Sequence, residues 1–150
     1  MSVRVQSDPL DVAAEHASFS KADNRGAVVM FTGTVRQLSE GAAISAMTLE
    51  HYPGMTEKAL KAIEAQARQR WDLLDVRIIH RFGRMLPGED IVLVLTASAH
   101  RKDAYEANMF LMDYLKTKAP FWKLEETGEG SNRWVEAREA DDSAARRWEK

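Results

Sequence analysis

The alternation of hydrophobic and polar residues predicts strands along much of the chain. Short apolar or alternating runs rich in β-branched residues, bounded by Gly, Pro or charged residues, are typical of strands. Residues 91–99 form the most hydrophobic run, which predicts a central strand buried on both faces. Six further segments fit the strand pattern: 3–6, 26–35, 44–52, 74–82, 121–126 and 133–137. Gly33, inside one of them, predicts a β-bulge or a close backbone approach.

A spacing of three to four residues between apolar positions predicts two long helices. Over residues 55–71, Leu60, Ile63 and Ala67 lie on one face, and Thr56 is a candidate cap. The charged positions Lys58, Lys61, Glu64 and Arg68 are assigned to the outer face. The helix over 101–116 is apolar nearly all round, so we expect it to be buried against a sheet or another subunit.

A third, short helix is expected near the start of the chain. Asp8 can cap it, Pro9 suits its first position, and it would end near Phe19. Residues 37–43 have the composition of a loop, and a Gly-containing turn is expected at 128–132. The predicted order, β-α-β-β-α-β-β-α-β-β, indicates an α+β fold with helices segregated on a mixed or antiparallel sheet. The length of 150 residues predicts one domain over 1–150, with a charged segment after about residue 141 that is either helical or frayed.

Composition and charge exclude several classes of protein. The net charge of −2, from 21 basic and 23 acidic residues, argues against binding nucleic acid through bulk charge. The chain has no Cys, so disulfides, thiolate metal sites and cysteine nucleophiles are excluded. No apolar run reaches the ~20 residues that span a bilayer, and no apolar leader is visible, so we expect a cytoplasmic protein without a membrane partner. The spacing of His16, His51 and His80 does not fit metal ligands, and core or surface positions are expected for them.

Basic residues at the ends of predicted elements suggest an anion site. Arg36 directly follows a strand, and His100 and Arg101 lie where the most hydrophobic strand is followed by a helix. Unpaired N–H groups and the positive end of the helix dipole meet at such a junction, and an imidazole and a guanidinium would add to them. The alternatives are a solvated helix start and, for Arg36, a surface arginine closing a strand.

Three lysines lie close together in the sequence KTKAPFWK, residues 116–123. A lysine among other cations, or removed from water, has a lowered pKa and can act as an acid, base or nucleophile. Lys118 also fits a simpler role, because lysines at a helix C-terminus favour the helix dipole. We expect Lys116 to be held in place by the apolar helix that it ends, and to be the amine with the lowered pKa.

The ordered motifs of the chain resemble those of the large, catalytic subunit family of molybdopterin synthase. They are GAVVMFTGTVR (26–36), LEHYPGMTEKAL (49–60), HRFGRMLPGE (80–89), SAHR (98–101), DYLKTKAPFWKLE (113–125) and RWVEARE (133–139). The combination of SAHR followed by KTKAPFWK is the most specific part. The similarity extends over nearly the whole chain from Gly26 to Glu139.

The resemblance implies an activity and a set of partners. Members of the family convert cyclic pyranopterin monophosphate into molybdopterin, in molybdenum cofactor biosynthesis, by inserting two dithiolene sulfurs. The sulfur comes from a thiocarboxylate at the C-terminal Gly-Gly of a small ubiquitin-like partner. Two large subunits form a homodimer at the centre of a heterotetramer, and the fold is α+β with a hammerhead-like portion. The resemblance implies no permanently bound cofactor and no metal.

The resemblance also assigns roles to individual residues. Lys116 matches the lysine nearest the chemistry, and Lys123 matches a second catalytic lysine, expected to orient or neutralise the anionic substrate. Substrate binding is assigned to Thr34, Val35, Arg36, His100, Arg101, Lys116, Lys123, Leu124 and Glu125. Leu124 departs from the family, where a basic residue is often expected, so a backbone contact is the contact expected there.

Two other functions stay open at this point. The chain can be a non-catalytic scaffold that binds a pterin phosphate, although the presence of both Lys116 and Lys123 argues against it. It can also be a nucleic-acid-binding module that uses the basic stretch and Trp122. The net charge and the absence of a stripe of basic and aromatic residues argue against that function.

Overall fold

The computed structural model describes residues 2–22, 24–39, 41–127, 132–135 and 139–149. Within these ranges lie nine strands and four helices. The strands are β1 (Val3–Gln6), β2 (Ala27–Thr34), β3 (Leu38–Ser39), β4 (Ala42–His51), β5 (Asp75–Arg81), β6 (Gly83–Met85), β7 (Asp90–Ser98), β8 (Phe121–Thr127) and β9 (Asn132–Val135). The helices are α1 (Val12–Ser20), α2 (Met55–Arg70), α3 (Arg101–Lys118) and α4 (Glu139–Arg146).

The first sheet has the strand order β1-β5-β7-β2. β1 runs parallel to β5, and the other neighbours are antiparallel. The prediction of a central β7 is confirmed, because alternate residues of this strand enter two different cores. Val92 and Val94 contribute to the core under α2 and α3, whereas Leu93 and Leu95 pack on the other face with Phe19 of α1.

Helices α2 and α3 cover one face of this sheet, and α4 packs against α3. The expected face of α2 is buried, and α3 buries residues at helical spacing, including Ala104, Ala107 and Leu111. Helix α4 joins the same core through Ala145. The α+β class is therefore confirmed, with α1 alone among the described helices on the opposite face. No described helix is both long and apolar enough to cross a membrane.

The second sheet is built around β4. This strand pairs with β3, β6 and β8, and β8 pairs in turn with β9. A smaller core of Val35, Met47, Leu49 and Met85 lies against it. The antiparallel register places Leu49 opposite Lys123, so β8 holds a lysine next to an apolar core.

Two predicted helix caps are wrong, although α2 begins at Met55 as predicted. Helix α1 begins at Val12, and Asp11 caps it by accepting a hydrogen bond from the Ala14 amide at 3.1 Å. The expected cap, Asp8, stays in a turn where its carbonyl accepts from the Gln6 side chain at 3.1 Å. A charged residue four positions before the helix cannot cap it when the backbone between them turns.

The cap expected from Thr56 is also wrong. Gly54 precedes α2, and its amide donates to Glu57 Oε1 at 3.1 Å. Thr56 lies inside the first turn, where Oγ1 accepts from the Tyr52 amide at 3.1 Å and donates to the Pro120 carbonyl at 3.2 Å. Thr56 therefore ties the start of α2 to the start of β8.

The loop expected at 37–43 contains β3 and the first residues of β4, joined as a hairpin, and β6 was not predicted. Glu64 was assigned to the outer face of α2 but is buried, accepting from Ser2 Oγ at 2.5 Å and from Arg68 Nε at 2.8 Å. The helical alternative for the C-terminal segment is confirmed by α4. Most of the turn expected at 128–132, and the end of the strand expected at 133–137, lie outside the described residues.

Candidate active site

A cavity of about 360 Å³ lies at the junction of the two sheets, beside the C-terminal half of α3. Its polar lining comes from Thr34, Arg36, His80, Lys116, Lys123, Glu125 and Asp141. Its apolar lining comes from Phe31, Gly33, Leu49, Ile91, Val92, Met112, Leu115, Ala119, Phe121 and Trp122. Half-enclosed cavities of this size, with a few convergent polar groups on apolar walls, are typical of small-molecule sites.

The end of β2 brings the first polar residues to the cavity. The register between β2 and β7 shifts between Gly33 and Thr34, which confirms the predicted bulge. A Cβ on Gly33 would lie 2.9 Å from Cγ1 of Val92, so the close approach needs glycine. Val35 is buried, and its amide and carbonyl bond to Glu89 and Gly88 at 3.0 and 2.8 Å. This anchor holds Thr34 and Arg36 where the strand ends.

The two lysines enter the cavity from different elements and with different exposure. Lys116 lies in the last turn of α3, which continues to Lys118, and its side chain is exposed at the edge of the cavity. Lys123 lies within β8 and is only partly exposed. The sequence predicted that a buried helix holds Lys116 in place, but the side chain of Lys116 is exposed, and Lys123 is the more buried of the two lysines.

Burial lowers the pKa of Lys123 from 10.5 to about 8. The positive charge of Lys116 adds to this lowering, and the negative charge of Glu125 opposes it. Arg36 also lowers the pKa of Lys123 and Asp141 raises it, both by smaller amounts. The pKa lowering expected from crowding is therefore found at Lys123, and removal from water is its largest cause.

His80 is a cavity residue that the sequence reasoning missed. Its ring stacks on Phe121 with centroids 3.8 Å apart and an angle of 18°, and Nδ1 lies 2.9 Å from the Arg81 carbonyl. Burial, helped by the charges of Lys116 and Lys123, lowers its pKa from 6.5 to about 3 despite the hydrogen bond to Arg81. The available signal was its place in HRFGRMLPGE, one of the segments that carry the resemblance.

The structure brings together five of the nine residues assigned to substrate binding: Thr34, Arg36, Lys116, Lys123 and Glu125. Val35 instead belongs to the smaller core against the second sheet, and Leu124 does not border the cavity. Glu125 is buried.

His100 and Arg101 are exposed at the N-terminus of α3, the opposite end from Lys116. Fifteen residues of helix separate Arg101 from Lys116, a distance of about 22 Å at about 1.5 Å per residue. Within one chain, His100 and Arg101 therefore lie far from Arg36. The three residues can form one anion site only if a second copy of the chain supplies His100 and Arg101.

A shallower depression of about 470 Å³ is lined by Asn24, Arg25, Gly26, Leu74 and Ala99. Its single cation, Arg25, is paired with Asp75 at 3.0 Å, so the depression offers no convergent set of groups. Among the described residues, no group of three or more His, Asp or Glu side chains is arranged to hold a metal ion.

The fold and the cavity define a class: an α+β protein with a half-enclosed cavity lined by three basic side chains, one of them a lysine whose pKa is lowered to about 8. The family model described as MoaE protein matches residues 5–118, and the chain belongs to this family. The molybdopterin synthase catalytic subunit of Yersinia pestis is 56% identical over 146 residues, covering 97% of this chain and 96% of that one.

Solved structures agree with this assignment. The molybdopterin biosynthesis MoaE protein from Burkholderia ambifaria has a TM-score of 0.83 and 51% identity, covering 99% of this chain and 98% of that one. A chain from a Helicobacter pylori complex of subunits 1 and 2 of molybdopterin-converting factor has a TM-score of 0.75 and 20% identity, with coverage of 93% and 92%. At that identity it shows the shared fold alone.

Proposed function

We propose that the chain is the catalytic subunit of a molybdopterin synthase, which inserts two sulfurs into cyclic pyranopterin monophosphate. The observation that supports this most strongly is the convergence of Arg36, Lys116 and Lys123 on one cavity with aromatic walls. Cations attract the phosphate, and the walls formed by Phe31, Phe121 and neighbouring residues suit a flat heterocycle.

The sulfur donor in this proposal is the thiocarboxylate at the C-terminal Gly-Gly of a small ubiquitin-like partner. In each transfer the donor's sulfur forms a bond to a substrate carbon while a carbon–oxygen bond of the substrate breaks, and water then hydrolyses the resulting thioester, so the partner's tail leaves as a carboxylate. The chain contains no Cys, so the donor's sulfur passes to the substrate without a thiol relay on this subunit. No resident cofactor or metal is needed in this scheme, and we place the reaction in the cytoplasm.

The different surroundings of Lys116 and Lys123 give the two lysines different roles in the reaction. Lys116 lies at the exposed edge, where a partner's tail would enter, and it stabilises charge that develops on the acyl carbonyl. Lys123 lies deeper, and with a pKa of about 8 it is ionised in most molecules at pH 7. It therefore neutralises the substrate's charge and releases a proton at little cost.

A homodimer completes the pocket in this proposal. His100 and Arg101 are exposed, and Tyr105 and Met109 on the same helix are also exposed, at 61% and 52%. Apolar groups left uncovered beside a guanidinium and an imidazole fit an interface in which the second copy extends the phosphate site.

The direct test is reconstitution. The purified chain is mixed with thiocarboxylated partner and the cyclic pterin in a single turnover, and the dithiolene product is assayed. Lys116→Ala should nearly abolish product formation and Lys123→Ala should reduce it severely, while both keep the fold and bind the partner. Lys118→Ala is the matched control, because Lys118 is exposed and does not border the cavity. Absence of product with the wild-type chain would refute the function, and equal damage from Lys118→Ala would refute the roles.

A mixing experiment tests the contribution of the second copy. Chains carrying Lys116→Ala and chains carrying Arg101→Ala are dissociated together and reassembled. If Arg101 acts across the interface, a mixed dimer has one intact site, and about a quarter of the wild-type activity returns in a statistical mixture. If both residues act within one chain, no activity returns.

A further inference from the structure

The His80 ring is fixed in one orientation and one tautomer. A carbonyl can only accept a hydrogen bond, so the contact of 2.9 Å with Arg81 puts the ring hydrogen on Nδ1. The stack on Phe121 fixes the plane of the ring. Nε2 is therefore left with a lone pair, and the contact with the Arg81 carbonyl does not engage it. Because the ring borders the cavity, Nε2 is the polar atom that His80 can offer a ligand.

The charged groups of the cavity make a neutral acceptor useful, and only His80 Nε2 and the Thr34 hydroxyl offer one among the described polar side chains that line it. Arg36, Lys116 and Lys123 only donate hydrogen bonds when charged. Glu125 and Asp141 accept, but their negative charges act on Lys123 and would repel an anionic substrate. A neutral imidazole accepts a hydrogen bond without that repulsion.

With a pKa of about 3, His80 is neutral near pH 7. Burial is the largest cause of the lowered pKa of His80; Lys116, Lys123 and His51 lower it further, and only the hydrogen bond to the Arg81 carbonyl opposes them. An unprotonated Nε2 cannot donate to a phosphate oxygen, so the phosphate belongs on the cationic side of the cavity. The face made by His80 and Phe121 is left for the heterocycle.

We infer that His80 orients the substrate by accepting, through Nε2, a hydrogen bond from an N–H group of its heterocycle. This inference rests on the proposed function, because it takes the pterin as the ligand. It assigns the two ends of the substrate to two sides of one cavity, the phosphate to the cations and the N–H edge to His80.

Three substitutions separate the hydrogen bond from the packing. His80→Gln can place an acceptor near the position of Nε2, whereas His80→Asn can keep the bond to Arg81 but loses that acceptor. His80→Phe keeps the stack on Phe121 and loses both polar contacts. Circular dichroism and thermal unfolding first establish that each variant folds. The pterin's own fluorescence then gives its dissociation constant, and competition by inorganic pyrophosphate measures the cationic side separately.

The variants are expected to differ in their dissociation constants for the pterin. His80→Asn and His80→Phe should bind the pterin roughly threefold to tenfold more weakly, the range for one neutral hydrogen bond, and His80→Gln should stay closer to the wild type. Pyrophosphate binding should not change. The inference is overturned if Gln and Asn variants bind alike, or if pyrophosphate binding weakens in parallel, as a purely structural role predicts. Failure of the wild-type chain to bind the pterin would instead overturn the proposed function itself.

Discussion

Replacing Lys123 by Met should stabilise the protein at neutral pH. Met has a similar length but no charge. It therefore fills the same space beside the smaller core against the second sheet, without the cost of burying an ammonium group. The fall in the pKa of Lys123 from 10.5 to about 8 measures that cost. At about 1.4 kcal/mol per pKa unit, it corresponds to about 3 kcal/mol, and partial exposure of the side chain places the expected gain at about 1–3 kcal/mol.

The sign of the pH dependence follows from proton binding. The unfolded chain keeps the pKa of Lys123 near 10.5, while the folded chain has a pKa of about 8. Between these pH values the unfolded state binds more protons, so the stability of the wild type rises with pH. Below pH 8 the full penalty is present, and above 10.5 it disappears. The advantage of Lys123→Met should therefore be largest below pH 8 and shrink as the pH rises.

Urea denaturation at pH 7, 9 and 10.5 measures this directly, with thermal unfolding as a second readout. For a chain of this size each 1 kcal/mol corresponds to about 2–4 °C in Tm. Lys118→Met is the control, since Lys118 is exposed and its ammonium lies 5.7 Å from the Tyr114 ring centroid, outside the cavity. The reasoning is refuted if Lys123→Met is no more stable than the wild type at pH 7. It is equally refuted if the stability difference does not change between pH 7 and 10.5.

Three further predictions concern binding, packing and assembly. Arg36→Ala should raise the dissociation constant of the phosphorylated pterin by roughly 10- to 100-fold, the range for a charge-assisted hydrogen bond, while the unphosphorylated pterin binds nearly as before in the same titration. Gly26→Ala should cost about 1–3 kcal/mol in urea denaturation, because a Cβ there would lie 1.9 Å from the Ala99 carbonyl oxygen; an unchanged midpoint would contradict this contact. Tyr105→Glu, on the exposed side of α3, should shift the chain from dimer to monomer in sedimentation, and a persistent dimer would exclude this helix from the interface.

Local patterns were enough to predict the long elements. The run that became β7 is apolar at successive positions because both of its faces are covered, and the spacing of Leu60, Ile63 and Ala67 follows the buried face of α2. These signals depend on the sequence alone, since each element must bury its own apolar side.

Elements that depend on distant partners were not predictable in this way. β6 has three residues, and it exists because Gly83–Met85 lies against β4. Asp11 rather than Asp8 caps α1 because of where the preceding turn leads the backbone. Neither the strand β6 nor the cap Asp11 produces a periodic pattern of residues in the sequence.

In the candidate site, too, some features follow from local sequence patterns and others depend on distant partners. Basic residues at element ends pointed to Arg36, Lys116 and Lys123, which the resemblance assigned to one substrate site, and all three border the cavity; the same argument also pointed to His100 and Arg101, which do not. The sequence could not show which lysine is buried, because that depends on the pairing of β8 with β4. It also could not show that His80 faces the same cavity, because a histidine inside a strand looks like any other core residue. The roles of the lysines and of His80 depend on how exposed each side chain is and on which strands pair. Both are set by residues that are distant in the sequence.

The cost of burying Lys123 is consistent with the function proposed for the site. An amine with a pKa of about 8 is still charged in most molecules at pH 7, so it attracts an anionic substrate, yet it gives up its proton at a pH close to that of the cell. A fully exposed lysine attracts the anion but holds its proton too tightly, and an apolar residue does neither. The surrounding fold must supply the stability that this position loses. It does so through contacts outside the cavity, such as Asp113 on α3, which accepts from Trp148 Nε1 at 2.7 Å and from Arg147 Nη2 at 2.6 Å after the end of α4. Because these anchors lie apart from the reacting groups, the site can keep an unfavourable charge without loosening the helix that carries Lys116.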